Sequence, residues 1–220
     1  MNTTRSPVRA ARALLAAAGV ATALAIGAAQ AAPSAPSATT APAAPAATTV
    51  AVLPSDSIYH LPVVLTGHDG RSARLDARRG APLLLAMFYT SCKFVCPMLI
   101  ETIRDVESKL SADEREHLGV VLVSIDPEHD SVDVLKRTAD ERRIDGARWT
   151  LARTDAASVR KLAAVLGIQY RALPDGEFNH TTAVILVDGD GRIAARTTRL
   201  GNADAAFVKR VRAVALAASR

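Results

Sequence analysis

Leu83-Leu84-Leu85-Ala86-Met87-Phe88-Tyr89-Thr90-Ser91-Cys92-Lys93-Phe94-Val95-Cys96-Pro97 is the stretch from which the rest of the chain is read. Its first six residues carry no polar side chain. An unbroken apolar run of that length, without alternation, predicts a strand buried on both faces, as in the interior of a parallel sheet. Downstream, Leu99, Ile103, Val106 and Leu110 recur at helical spacing. A buried strand therefore passes through a short loop into an amphipathic helix, and both cysteines of the chain fall in that junction. In α/β sheets ligands gather beyond the C-terminal ends of the strands, which makes this loop the first place to look for chemistry. Pro97 disfavours helical geometry at the residue before it and suits the first helical position, so Cys96 is predicted as the N-cap. Both sulfurs then sit near a positive helix end, which favours thiolates, and Lys93 adds a positive charge.

The pattern continues on both sides. Residues 62–66 read as a short strand, Gly67-His68-Asp69-Gly70 as a turn, and residues 71–75 as the returning arm of a hairpin. After the first helix, Ser111-Ala112-Asp113-Glu114 is a capping box. Residues 119–125 (GVVLVSI) form a second buried strand. Val134, Leu135, Thr138 and Ala139 mark a helix; Val159, Leu162, Ala163 and Leu166 mark another, capped by Thr154-Asp155 and stopped by Gly167. Residues 183–187 are a third buried strand, and Gly189-Asp190-Gly191 turns it into residues 192–196. Phe207, Val208, Val211 and Val214 line a C-terminal helix. Buried strands alternating with helices give an α/β sheet with a parallel core, and the closing hairpin adds antiparallel edges. That order fits a thioredoxin-like fold: a central mixed sheet flanked by helices, with an N-terminal β-hairpin.

Composition bounds the rest. The chain has 220 residues, 49% hydrophobic and 22% charged, enough apolar material for one core. Residues 1–31 carry Arg5, Arg9 and Arg12, then an uncharged Leu/Ala stretch, then Ala29-Gln30-Ala31. This reads as a signal peptide or an N-terminal membrane anchor. Residues 32–54 contain Ala, Pro, Ser and Thr with no charge, the composition of a flexible linker. Residues 55–220 are the folded domain. The formal charge of +5 falls to 24 − 22 = +2 once the three leader arginines are removed from the 27 basic residues. With no run of basic residues interleaved with aromatics, this excludes a nucleic-acid footprint. Two cysteines exclude a disulfide-dense scaffold and a four-cysteine zinc site. They leave a redox pair or a mixed Cys/His metal site.

Two thiolates make an incomplete shell, and a soft ion such as Cu(I) accepts an imidazole beside them. Of the five histidines, His60, His68 and His117 read as solvated and His129 as a loop residue at the exit of the second strand. His180 directly precedes the third strand, where thioredoxins place a cis-proline against the cysteine pair. A side chain that coordinates there replaces one that does not, which makes His180 the candidate third ligand. A second reading makes Cys92 and Cys96 a redox-active pair that reduces a substrate disulfide. A third is a peroxiredoxin-like peroxidase, because Phe94-Val95-Cys96-Pro97 looks like that family's active-site tetrapeptide. The Thr or Ser required three residues before its cysteine is here Lys93.

These residues resemble the Sco/SenC family of copper-binding, thioredoxin-fold proteins. The resemblance rests on Phe88-Tyr89-Thr90-Ser91-Cys92 with Cys96-Pro97, on Val123-Ser124-Ile125-Asp126-Pro127 with Asp130, and on His180 before Val184-Ile185-Leu186-Val187-Asp188 and Gly191. It implies copper, as Cu(I) and also Cu(II), held by Cys92, Cys96 and His180. It further implies a periplasmic or otherwise exported chaperone, which is tethered to the inner membrane if the anchor is retained. The implied recipient is the copper-site subunit of cytochrome c oxidase. Because the compartment is oxidising, a thiol reductase is the expected second partner. Where the family commonly has C-P-D-x-C-P, this chain has Lys93 and Phe94 in place of the proline and the acid, and Asn179 stands where an Asp often precedes the histidine. Both changes make the pocket less negative, which disfavours Cu(II) relative to Cu(I).

Overall fold

The structure, a computed structural model, describes residues 52–218; the leader and nearly all of the expected linker lie outside the described residues. The N-terminal hairpin forms as expected. β1 (Val64–Gly67) pairs antiparallel with β2 (Ser72–Arg74). β3 (Leu83–Phe88) follows and is buried at every position. It leads into α1 (Val95–Ser108), whose Leu99, Ile103 and Val106 are buried and make its inner stripe. The capping box is present. Ser111 accepts from Glu114 N–H, Glu114 accepts from Ser111 N–H, and α2 (Ala112–Glu116) starts there. β4 (Gly119–Ser124) runs parallel to β3 in a six-residue register from Leu83 opposite Gly119 to Phe88 opposite Ser124.

Past α3 (Val132–Glu141) the sequence reading needs its first correction. β5 (Trp149–Arg153), which that reading passed over, pairs parallel with β4 and antiparallel with β1. Only Trp149, Leu151 and Ala152 of the strand are buried, so a short, broken pattern gave no apolar run to detect. α4 (Ala156–Val165) is capped by Asp155, which accepts from the Ala157 and Ser158 amides. It ends at Gly167 (φ 62°), whose N–H reaches Ala164 O while Ile168 N–H reaches Ala163 O. This is a Schellman ending that only a residue at ease with positive φ makes cheaply.

The second correction is a hairpin between α4 and the third apolar strand. β6 (Tyr170–Ala172) and β7 (Phe178–His180) pair antiparallel as a separate two-stranded sheet. β8 (Val184–Val187) then pairs antiparallel with β3, and β9 (Ile193–Thr197) antiparallel with β8. The run at β8 is fully buried, so its composition reports cover on both faces and is silent about direction. α5 (Ala205–Ala218) packs on β9 and α2, while α3 packs on β5 and β1. The main sheet has the order β2-β1-β5-β4-β3-β8-β9, a parallel centre of β3, β4 and β5 with antiparallel strands on either side. This is the mixed, helix-flanked, thioredoxin-like sheet. The C-terminal ends of β3 and β4 are adjacent and open into the loops that carry the site.

Candidate metal centre

β3 ends at Phe88, and the next residues turn at once, with the Cys92 amide donating to Tyr89 O at 3.4 Å. That turn folds Cys92 back over the start of α1. The Cys92 sulfur accepts the Cys96 N–H at 3.3 Å. The helix begins two residues earlier than expected. Phe94 is the N-cap and makes no side-chain capping bond, Val95 is the first helical residue, and Cys96 is the second. Pro97 is tolerated two places further in, as the third helical residue, because the first-turn amides have no helical acceptor in any case. The Cys92 sulfur performs the capping task that the Phe94 side chain cannot.

The two thiols are unlike, which corrects the expectation that both favour the thiolate. Burial opposes ionisation of Cys92. Its sulfur nevertheless accepts the Cys96 amide, and the Cys96 thiol, the Phe94 amide and the nearby Tyr89 hydroxyl add to this, so that the sum holds this thiol below the ordinary range. Cys96 is 4% exposed, and burial pushes its thiol far up; the Tyr89 amide works against this, while Cys92 and Asp130 reinforce it. Cys92 is thus the more acidic thiol of the pair and Cys96 the less acidic. Both are free cysteines.

The end of β4 braces this loop from the side. Asp130 is 1% exposed and binds Thr90 twice: its Oδ2 accepts the Thr90 N–H at 3.2 Å, and its Oδ1 accepts the Thr90 hydroxyl. The Ser124 hydroxyl donates to Asp130 Oδ2 at 2.5 Å and itself accepts the Asp126 N–H at 2.9 Å. Burial raises the Asp130 carboxyl above its ordinary range, against the pull of these donors. Ser124, Asp126 and Asp130 of the quoted motif therefore act as a clamp on the residue two before Cys92. Asp126 also pairs with His129 Nδ1 at 2.9 Å, and His129 points outward, with its side chain 79% exposed.

His180 stands on β7, across Tyr89 from the cysteines. Its ring lies edge-on to that of Tyr89, with centroids 5.7 Å apart at 76°. Nδ1 of His180 lies 3.2 Å from Thr181 O. A carbonyl only accepts, so Nδ1 carries the proton and Nε2 keeps its lone pair. This is the tautomer a metal ligand needs, with the second nitrogen oriented by a backbone carbonyl. Burial lowers the His180 pKa, which keeps the ring neutral. Cys92 and Cys96 are brought together, and His180 is brought to the far side of Tyr89. Among the described residues, no three His, Cys, Asp or Glu side chains already gather as a metal cluster.

The other histidines have other work. His60 Nε2 meets Pro54 O, and His117 Nδ1 meets Asp113 O. His68 is less solvated than its turn suggests, because Nδ1 accepts the Leu151 N–H at 3.2 Å and extends the β1–β5 ladder. Two residues that the sequence reading gave no role at the site join it. The Tyr89 hydroxyl donates to Glu177 Oε2 at 2.6 Å. The available signal for that hairpin was Pro174-Asp175-Gly176, a turn tripeptide whose glycine has φ 82°.

The likenesses to known proteins agree with this arrangement. A family model described as SCO1/SenC matches residues 55–215. The SCO1 protein homolog of Bacillus subtilis (strain 168) is 24% identical over 135 residues, covering 60% of this chain and 69% of that relative. The structure of Bradyrhizobium japonicum ScoI with copper bound is similar at a TM-score of 0.55 and 25% identity, over 68% of this chain and 97% of that one. The structure of BsSco, described as a member of the Sco family of cytochrome c oxidase assembly proteins with a disulfide switch, superposes with a TM-score of 0.59. It is 20% identical and covers 71% of this chain and 93% of its own. With most of its length matched by the family model and the motif residues placed at one rim of the sheet, the chain belongs to the SCO1/SenC family.

Proposed function

We propose that this protein is an exported copper chaperone that takes up one Cu(I) through Cys92, Cys96 and His180 and delivers it to the copper-site subunit of cytochrome c oxidase. The observation that carries this reading is the donor set: two adjacent sulfurs, one of them accepting a first-turn amide of α1 that favours its thiolate, and an imidazole whose Nδ1 donates to a backbone carbonyl and leaves Nε2 for a metal. Soft thiolates with an imidazole suit Cu(I), and the added charge of Lys93 together with Phe94 in place of an acid works against a more highly charged ion. The copper-bound B. japonicum relative and the oxidase-assembly description of BsSco support cargo and recipient. The basic and apolar leader in residues 1–31 supports export to the periplasm, either cleaved or retained as an anchor. Beside the cysteines, Phe94 is 78% and Met98 46% exposed, an apolar rim fitted to a docking partner.

The unequal thiols favour a second reading. Thiolate Cys92 attacks a substrate disulfide to form a mixed disulfide and releases one substrate thiolate. Cys96 then attacks Cys92, releases the second substrate thiol, and leaves a Cys92–Cys96 disulfide. The peroxidase reading fares worse, since its reactive position falls on Cys96, the buried thiol whose pKa is raised.

His180→Ala separates the first two. Under copper delivery it weakens Cu(I) retention against a Cu(I)-specific chelator and impairs oxidase assembly in cells, while the thiols still cycle. Under disulfide reduction it keeps most reductase activity. Unchanged copper retention and unchanged assembly remove His180 from the site.

A further inference from the structure

The β6–β7 hairpin shares no ladder hydrogen bonds with the main sheet and has only three register pairs: Tyr170 with His180, Arg171 with Asn179, and Ala172 with Phe178. A two-stranded ribbon of that size is marginal by itself, so its place depends on what it leans against. It leans on Tyr89. That residue follows β3 directly, is 3% exposed, and is fixed through its carbonyl by the Cys92 amide. Its hydroxyl donates to Glu177 Oε2 at 2.6 Å and accepts the Phe178 N–H at 3.4 Å. Its ring lies 5.1 Å from that of Phe178 and 5.7 Å from that of His180. One side chain rooted beside the cysteines thus grips the hairpin at three successive places: the residue ending its turn, the first residue of β7, and the histidine itself.

We propose that Tyr89 is a positioning residue. Through Glu177 and Phe178 it sets where His180 stands relative to Cys92 and Cys96. This rests on the reading of His180 as a copper ligand. A ring without the hydroxyl would still fill the space, but the hairpin would lose both polar tethers. His180 would then sample more positions, and the copper shell would close less often on the right one. Glu177 is the matching half of the latch. A glutamine there keeps an acceptor for the hydroxyl, whereas an alanine does not.

The test compares Tyr89→Phe, Glu177→Ala, Glu177→Gln, His180→Ala and the Tyr89→Phe/His180→Ala double variant of the reduced protein. Two measurements are made: competition for Cu(I) with a chelator, and amide hydrogen exchange without copper. Tyr89→Phe and Glu177→Ala are expected to weaken retention about tenfold, the scale of one hydrogen bond to a charged acceptor. Glu177→Gln restores most of that loss. Exchange of the β6 and β7 amides rises in the first two variants, while β3 and β4 are unchanged. In the His180→Ala background, Tyr89→Phe has no further effect on copper, because a latch acts through the residue it holds. Retention and hairpin exchange unchanged by Tyr89→Phe, beside a weakened His180→Ala, overturn the latch and leave the ligand reading standing. Equal weakening in both backgrounds also overturns it, since Tyr89 would then act on Cys92 alone. If His180→Ala itself retains copper fully, the ligand reading falls and the latch with it. Should Tyr89→Phe fail to fold, the Glu177 pair, at the edge of the turn, carries the same comparison.

Discussion

Removing the Asp130 carboxylate should both destabilise the domain and loosen the cysteine loop. Asp130→Ala strands three donors: the Thr90 amide, the Thr90 hydroxyl and the Ser124 hydroxyl. Ser124 is fully buried, and Asp130 itself is 1% exposed, so water does not replace the acceptor without entering the fold. A hydrogen bond to a charged acceptor is worth about 1.5–3 kcal/mol, but three on one group do not add. The native carboxylate also carries a desolvation cost, seen in its raised pKa. Offsetting one bond's worth for that cost leaves about 3 kcal/mol. For a domain of this size that corresponds to a fall of about 6–12 °C in Tm. Burial raises the Asp130 pKa above 3.8, so the folded state binds this proton more tightly than the unfolded chain does. The stability of wild type over Asp130→Asn should therefore be greatest below the unfolded pKa and shrink as pH rises through the folded one. Chemical unfolding of the reduced protein between about pH 3 and about pH 7 reads both quantities. A loss below about 1 kcal/mol for Asp130→Ala would refute the clamp, and an advantage over Asp130→Asn that grows with pH would refute the dominance of burial over the donors at this carboxyl.

Two further outcomes follow from the unequal thiols. Alkylation by iodoacetamide at mildly alkaline pH should mark Cys92 well before Cys96, and Cys92→Ser should abolish the fast phase; a fast phase that survives in that variant reverses the assignment. The folded pKa of Cys92 lies below its unfolded value, so this thiol adds stability above the unfolded pKa that is lost as pH falls through the folded one; the depressed pKa follows from the titration of Cys92 absorbance or reactivity. Oxidation to the Cys92–Cys96 disulfide should release Cu(I), because a disulfide offers no thiolate; tight retention by a fully oxidised sample would move the ligands elsewhere, to the histidines or to Met87 and Met98.

The legible parts of the fold were those whose physics is local. Runs at Leu83–Phe88 and Gly119–Ser124 are buried along almost their whole length, and the Ser111 box and Asp155 cap are chemical signals that act within four residues. β5 escaped because its burial depends on pairing with β4 and β1, neither of which is near it in sequence. The β6–β7 hairpin escaped because its residues are half-exposed and its strands are three residues long; only the Pro174-Asp175-Gly176 turn announces it. At the site, the position of both cysteines at a strand-to-helix junction was legible from the apolar run before them. Their inequality was not, since it arises from which sulfur the first-turn amides of α1 point at, and the helix starts two residues earlier than Pro97 suggested.

Under the copper reading, the same geometry suits a cargo that must be both held and surrendered. Cys92 caps α1, so its charge is stabilised by amides that no substitution of the surrounding side chains removes. Cys96 is buried behind it and stays protonated until a better partner for its sulfur arrives. The third candidate donor is carried on a hairpin outside the main sheet, joined to the loop through Tyr89. A rigid sheet end thus fixes the two sulfurs, while the imidazole sits on an element that can yield without disturbing the core. Under the copper reading, a recipient loosens the shell by displacing only the hairpin's hold. Stiffening that hairpin, for example with a disulfide across Arg171 and Asn179, should then slow transfer to the recipient more than it strengthens retention against a chelator. Equal changes in the two would mean that release proceeds from the sulfurs first.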